Sequence, residues 1–199
     1  SRCGASGHVT PSATGPAPRR RPDKIGRMAA SFDFRSAYAH GYARIASCTV
    51  PTSIADPAAR GALLRERLAA VGEGAVIRAP FHCDYGYNIS IGAGAFLNFN
   101  CVILDIAPVT IGAGTLFGPG CQLITVGHPV DDHAKRAAGW EIAHPITIGD
   151  NCWFGAGAMV MSRVTIGDNC VIAAGAVVTA DVPANSLVAG VPAVVKRSL

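Results

Sequence analysis

Twelve apolar residues keep a strict beat through the second half of the chain. Ile91, Leu97 and Ile103 stand six apart; so do Ile111, Phe117 and Leu123; so do Ile148, Phe154, Val160, Ile166, Ile172 and Val178. A glycine follows many of them, at Gly92, Gly112, Gly118, Gly149, Gly155 and Gly167. An internal repeat of six predicts a parallel β-helix. Each unit makes one flat side of a triangular coil, its apolar side chain points into the prism, and the glycine is expected to permit the turn at the corner. Three units make one coil. Residue i+18 should therefore stack on residue i, Ile166 on Ile148, Ile172 on Phe154 and Val178 on Val160, at the sheet spacing of ~4.8 Å.

The beat breaks twice. Two residues are added between Ile103 and Ile111, in LDIAP, and the gap from Leu123 to Ile148 is 25, one more than four units. The second gap holds residues 126–145, VGHPVDDHAKRAAGWEIAHP, a polar stretch with three histidines. Coils cannot bend to enclose a ligand. A loop extruded from them is the expected carrier of function, and prisms of this kind commonly form trimers with clefts between neighbours. The expected fold class is all-β: a left-handed parallel β-helix over residues 76–199, trimeric, with the loop at 126–145 and a short N-terminal helical segment.

That helix is predicted over residues 57–72, PAARGALLRERLAAVG. Pro57 suits its first turn, Leu63, Leu64, Leu68 and Val71 form one face, and Gly72 ends it. It closes a degenerate cap segment, residues 31–75, in which YARIASCTV reads as a strand. Residues 1–30 are rich in Ser, Gly, Pro, Ala and Arg and read as a disordered basic tail, with Met28 an alternative start.

Composition sharpens this picture at few points. Half the residues are hydrophobic, with 23 Gly and 13 Pro, which suits a turn-rich all-β chain. The net charge of +4 belongs to the tail: residues 1–27 hold six Arg/Lys and one acid, and the remainder holds eleven against twelve. No electrostatic footprint for nucleic acid is left on the folded part. No apolar run approaches ~18 residues, so no membrane span is expected. The N-terminus lacks the apolar core of a secretory signal. Seven cysteines include Cys83, Cys101, Cys121, Cys152 and Cys170 within the repeats and no C-x-x-C pair. They are expected as small buried hydrophobes in a reducing cytoplasm.

Several segments go beyond the repeat itself. FHCDYGYNISIG (81–92), NFNCVILDIAPVTIG (98–112), GHPVD (127–131), PITIGDNCWFGAGA (145–158), VTIGDNCVIAAGAVVT (164–179) and DVPANSLVAGVPA (181–193) occur in this order. Together they resemble the maltose and galactoside O-acetyltransferases of the hexapeptide-repeat class, over roughly residues 61–197. The resemblance implies transfer of acetyl from acetyl-CoA, as cosubstrate and without a metal, to a hydroxyl of a maltose- or glucose-like sugar. It implies a cytoplasmic homotrimer with sites between subunits. His128 matches the general base. Neutral imidazole is suited to take a proton from a weakly acidic hydroxyl as it attacks a thioester directly, in a ternary complex. Glu141 is a candidate to orient His128 or touch the sugar. Asp84 and Asn98 match acceptor contacts, types that hydrogen-bond vicinal hydroxyls; Asp105 is a further candidate. Ile106 stands where the galactoside enzymes carry a second acid, which speaks against a galactoside preference. Trp153 would pack beside the pantetheine arm. The Ala156 N–H would face the thioester carbonyl. Ala174, Thr179, Ala180 and Arg197 match further coenzyme positions. Ala180 and Val194 replace a usual Lys and Arg, so weaker coenzyme affinity is expected.

Rival readings keep the fold and change the chemistry. The same transfer onto an amino sugar, a lipo-oligosaccharide or a xenobiotic is one. A catalytically weak β-helix scaffold is another. A zinc site on His82, His128 and His133 is a third, prompted by the spacing of the two loop histidines.

Overall fold

The computed structural model describes residues 30–33, 48–50 and 56–199. The tail expected over 1–30, apart from Ala30, and residues 34–47 and 51–55 of the cap segment lie outside the described residues.

The beat becomes a three-sided parallel β-helix of left-handed coils. The first face stacks Ala70–Val71, Ile89–Ile91, Val109–Ile111, Ile146–Ile148 and Thr165–Ile166. The second stacks Val76–Ile77, Phe96–Leu97, Leu116–Phe117, Trp153–Phe154, Val171–Ile172 and Ser186–Ala189. The third stacks Phe81–Cys83, Cys101–Leu104, Gln122–Ile124, Met159–Val160 and Val177–Val178. Ile148 pairs with Ile166, Phe154 with Ile172 and Val160 with Val178, as the spacing of 18 requires. All twelve residues of the beat are buried. Inside the prism the Phe117 and Phe154 rings stack at 4.3 Å between centroids and 9° between planes. Cys83, Cys101, Cys121, Cys152 and Cys170 are buried.

The register locates both breaks. Ile91 pairs with Ile111, 20 residues on, so LDIAP bulges at a corner by two residues. Ile111 pairs with Ile148, 37 residues on against 18 for a regular coil, so 19 residues leave the prism. They do not wind an extra coil. Val126–Gly127 returns antiparallel against Trp140–Ala143, with α2 (His133–Ala137) at the tip. Ala30–Asp33 adds antiparallel to the same Trp140–Ala143 strand.

The glycines divide into two kinds, and the corner role expected of those after each apolar residue belongs to others. A Cβ at Gly155 would meet the Ala174 backbone nitrogen at 2.4 Å, and one at Gly92 would meet that of Ala113 at 2.5 Å. These glycines let successive coils approach. The turn itself uses positive φ two residues later, at Gly94, Gly114, Gly157 and Gly175, or at Asn151 and Asn169, since asparagine tolerates that region.

Helix α1 spans Pro57–Arg67, shorter than predicted. Asp56 caps it by accepting from the Ala58 and Ala59 N–H groups, and Pro57 opens it. Leu64 and Leu68 are buried, but Val71 is not on the helix. Ala70–Val71 pairs with Ser90–Ile91 instead, so the first coil begins six residues before the expected boundary at 76. Ladder hydrogen bonds win over the helical periodicity there. Gly72 fails to end the helix and serves close approach, since its Cβ would lie 2.3 Å from Ala93 N. Cys48–Val50, within the expected strand YARIASCTV, pairs antiparallel with Phe81–Cys83.

Candidate functional site

The loop is built to hold one histidine. Register across its base sets Gly127 against Ile142, which brings His128 level with Glu141. His128 is exposed, and its Nδ1 lies 2.8 Å from the carbonyl oxygen of Trp140. A carbonyl only accepts, so Nδ1 carries the proton and Nε2 keeps a free lone pair. Arg136 on α2 donates from Nη1 to the carbonyls of Pro129 and Val130, at 2.8 and 2.7 Å, and clamps the turn after His128. Asp132 caps α2 at the Lys135 N–H, and the Lys135 ammonium sits 5.9 Å from the centre of the Trp140 ring. At the loop's return, Arg163 of the next coil donates to Nε2 of His144 at 2.9 Å. Burial and then the Arg163 charge hold the His144 imidazolium below the usual range. His133, the first residue of α2, is exposed.

Three carboxyls stand along the edge from which this loop leaves, between the third and first faces (the trailing edge). Asp84 is half-buried, and its carboxyl is pushed up to about 6, first by burial and then by the charges of Asp105 and Glu141. Burial also raises Glu141, opposed by the nearby His128. Asp84, Glu141 and His128 therefore form one electrostatic cluster.

The surroundings of two of these carboxyls are specific. Glu141 Oε2 is buried without a hydrogen-bond partner, and Nδ1 of His128 faces the Trp140 carbonyl rather than Glu141. Asp105 is held by the main chain. It is fully buried, and its carboxylate accepts from the backbone N–H groups of Tyr85 at 2.9 Å and Asn88 at 3.3 Å. It fixes the turn that carries Asp84.

Asn98 lies on another edge, between the second and third faces (the leading edge), where Ala156 and Ala174 also lie two and three coils further on. Gly175 N–H bonds the Ala156 carbonyl, so these corners stack directly. Trp153 projects from the second face, 56% exposed, in an outward apolar row with Val76, Phe96, Leu116, Val171 and Leu187. Arg197 borders that face on the terminal strand Val194–Ser198, opposite Leu187. Thr179 and Ala180 fall on the trailing edge. One prism therefore splits the candidates: His128, Glu141, Asp84, Thr179 and Ala180 on one edge, and Asn98, Trp153, Ala156, Ala174 and Arg197 around the other. The outward-facing positions of the first face are Ala70, Ser90, Thr110, Thr147 and Thr165, ordinary solvent-facing types.

His82, His128 and His133 do not converge. Among the described residues no group of three His, Cys, Asp or Glu could hold a metal ion. No helix among them is long and apolar enough to cross a membrane.

Comparison with known proteins agrees with the beat. The family described as bacterial transferase hexapeptide (six repeats) matches residues 145–180. Nodulation protein L of Rhizobium meliloti is 59% identical over 133 residues, which cover 67% of this chain and 72% of that protein. Galactoside O-acetyltransferase of Escherichia coli is 45% identical over 140 residues, covering 70% and 68%. The chain belongs to the hexapeptide-repeat acetyltransferases. A solved member of that family, an acetyltransferase from Vibrio cholerae complexed with acetyl-coenzyme A, matches with a TM-score of 0.71 at 44% identity, over 72% of this chain and 78% of that one.

Within this acetyltransferase frame, four contributors escape a reading of the sequence alone. Arg136 and the Trp140 carbonyl act through the backbone of a loop that has no repeat to align it. Arg78, whose Nη1 donates to Asn98 Oδ1, and Arg163, which donates to His144 Nε2, reach their partners across successive coils. A spacing of about one coil between polar residues was the only available signal, and surface positions share it widely.

Proposed function

We propose that this chain transfers acetyl from acetyl-coenzyme A to a hydroxyl of a sugar-like acceptor, with His128 as general base. The observation that carries the reading is the 2.8 Å contact of Nδ1 with the Trp140 carbonyl, which leaves Nε2 as the free base. Nε2 takes the acceptor's hydroxyl proton as its oxygen bonds to the thioester carbonyl carbon. The carbon–sulfur bond then breaks, the thiolate recovers that proton from the imidazolium, and an acetyl ester and free coenzyme A result. The Ala156 N–H is the proposed donor to the oxygen that gains charge. Glu141, partly buried beside His128, is the proposed acceptor for a further hydroxyl of the sugar. Asp84 beside it supplies a second.

The split of these residues over two edges supports a homotrimer in which the loop of one copy meets the second face of the next. The apolar row at Val76, Leu116 and Trp153, between 45% and 56% exposed, gives that partner a surface to cover. Thiol release from acetyl-coenzyme A, screened against maltose, glucose, galactosides and glucosamine, tests the reading. Acceptor-dependent release should fall by ~100-fold or more in His128→Ala, the loss expected of a general base. Release that does not depend on His128, or none with any acceptor from a folded oligomer, would reject it.

A further inference from the structure

We propose that Arg78 is a positioning residue that commits Asn98 to donate, never accept, toward the bound acceptor; the proposal rests on the acetyl-transfer reading above. Arg78 and Asn98 occupy the same corner of successive coils, because Ile77 pairs with Leu97 directly before them. Arg78 Nη1 donates to Asn98 Oδ1 at 3.0 Å. The backbone N–H of Phe99 donates to the same oxygen at 2.9 Å. The guanidinium is itself held over the Phe99 ring, with its carbon 5.3 Å from the centroid.

These contacts decide which end of the amide faces outward. Turning the amide over would set its NH₂ against a guanidinium and a backbone N–H, donors against donors. Oδ1 is consumed by two donors, and Nδ2 is left as the outward group. Asn98 can then bind only a lone pair, on a hydroxyl or ring oxygen. It cannot accept the proton of the hydroxyl that attacks, and that proton is left to His128 Nε2. Arginine suits the task because it stays charged and its planar fork stacks on the ring while one N–H reaches the amide. Phe99 is thus used twice, its backbone on Oδ1 and its ring under Arg78.

Steady-state kinetics with the best acceptor from the thiol-release screen test this. Asn98→Asp keeps an oxygen for both Arg78 and the Phe99 N–H but loses the outward donor; the acceptor KM should rise by about tenfold, the order of one lost hydrogen bond to a substrate. Arg78→Met leaves Oδ1 held by the Phe99 N–H alone, which loosens the amide, and should raise the acceptor KM several-fold, with kcat and the acetyl-coenzyme A KM unchanged. Arg78→Lys should recover part of the loss, a pattern that general destabilisation would not give. Thermal melts confirm that each variant is folded. An unchanged acceptor KM in Arg78→Met, with a raised one in Asn98→Asp, would leave Asn98 in the site and overturn the role of Arg78. An unchanged KM in Asn98→Asp, with His128→Ala inactive, would overturn the proposal while the transfer reading stands. A wild type without acceptor-dependent turnover would remove both.

Discussion

Nδ1 of His128 and the carbonyl oxygen of Trp140 lie 2.8 Å apart, and the contact is made by main chain on the Trp140 side. Any side chain at 140 provides the same oxygen, provided that the turn before it keeps its shape. Gly139 makes that turn at φ 83°. Trp140→Phe should therefore keep kcat within about threefold, since the base keeps its tautomer. Gly139→Ala places a side chain in the left-handed region at ~1–2 kcal/mol of local strain and moves the carbonyl. Its kcat should drop by tenfold or more while the melting temperature of the coils barely changes. Equal losses of kcat in the two variants would show that the ring, not the carbonyl, matters.

Asp84 carries a pH signature. Its carboxyl ordinarily titrates at 3.8 and is raised to about 6 here, by burial first and by Asp105 and Glu141 next. The folded state therefore binds this proton more tightly than the unfolded chain. The stability it adds is full below about pH 3.8 and is lost as pH rises through about 6. Asp84→Asn removes the titration. Thermal melts from pH 4 to pH 7 should show the wild type losing ground to Asp84→Asn across that window. A constant difference between the two would mean that neither burial nor the neighbouring carboxyls raise Asp84.

The coils were legible and the site only half so, for a physical reason. A beat of six over twelve residues is enforced by the prism, where each position meets the same requirement in every coil, and Ile148, Phe154 and Val160 pair as expected. Nothing in a sequence says that Ala70–Val71 will pair as strand when the helical periodicity runs through it. Asp105 shows the same limit at the site: a carboxylate that binds sugar and one that binds two backbone N–H groups have the same letter. Burial separates them, and burial at the LDIAP bulge has no period to reveal it. His128 stood out because its loop departs from the beat. Its orienting partner was hidden, since any residue could have supplied a carbonyl.

The two kinds of glycine make opposite forecasts for one substitution. A Cβ at Gly155 meets the Ala174 backbone at 2.4 Å, and backbone cannot step aside without parting two coils. A Cβ at Gly157 meets nothing within 4 Å, and only its φ of 67° is at stake. Gly157→Ala should cost ~1 kcal/mol. Gly155→Ala should cost ~3 kcal/mol or more, at the upper end of overpacking. Denaturant midpoints of the two variants check the order. The reverse order would show that turn strain, not coil spacing, limits the repeat.

The placement of His128 and Trp153 on different sides of one prism makes the assembly itself testable. If the loop of one copy serves the groove of the next, each site needs an intact His128 from one chain and an intact second face from another. Two inactive variants then complement. His128→Ala supplies a sound groove, and Trp153→Ala combined with Ala156→Pro, which removes the proposed N–H donor, supplies a sound loop. In co-assembled trimers with random mixing, about a quarter of the interfaces pair a sound loop with a sound groove. Activity should therefore return to roughly that fraction of wild type, from two preparations that each show almost none. Mass measurement of the mixed trimers confirms that exchange has occurred. Verified mixed trimers without recovered thiol release would place the whole site on one chain, and the loop would then have to reach its own leading edge.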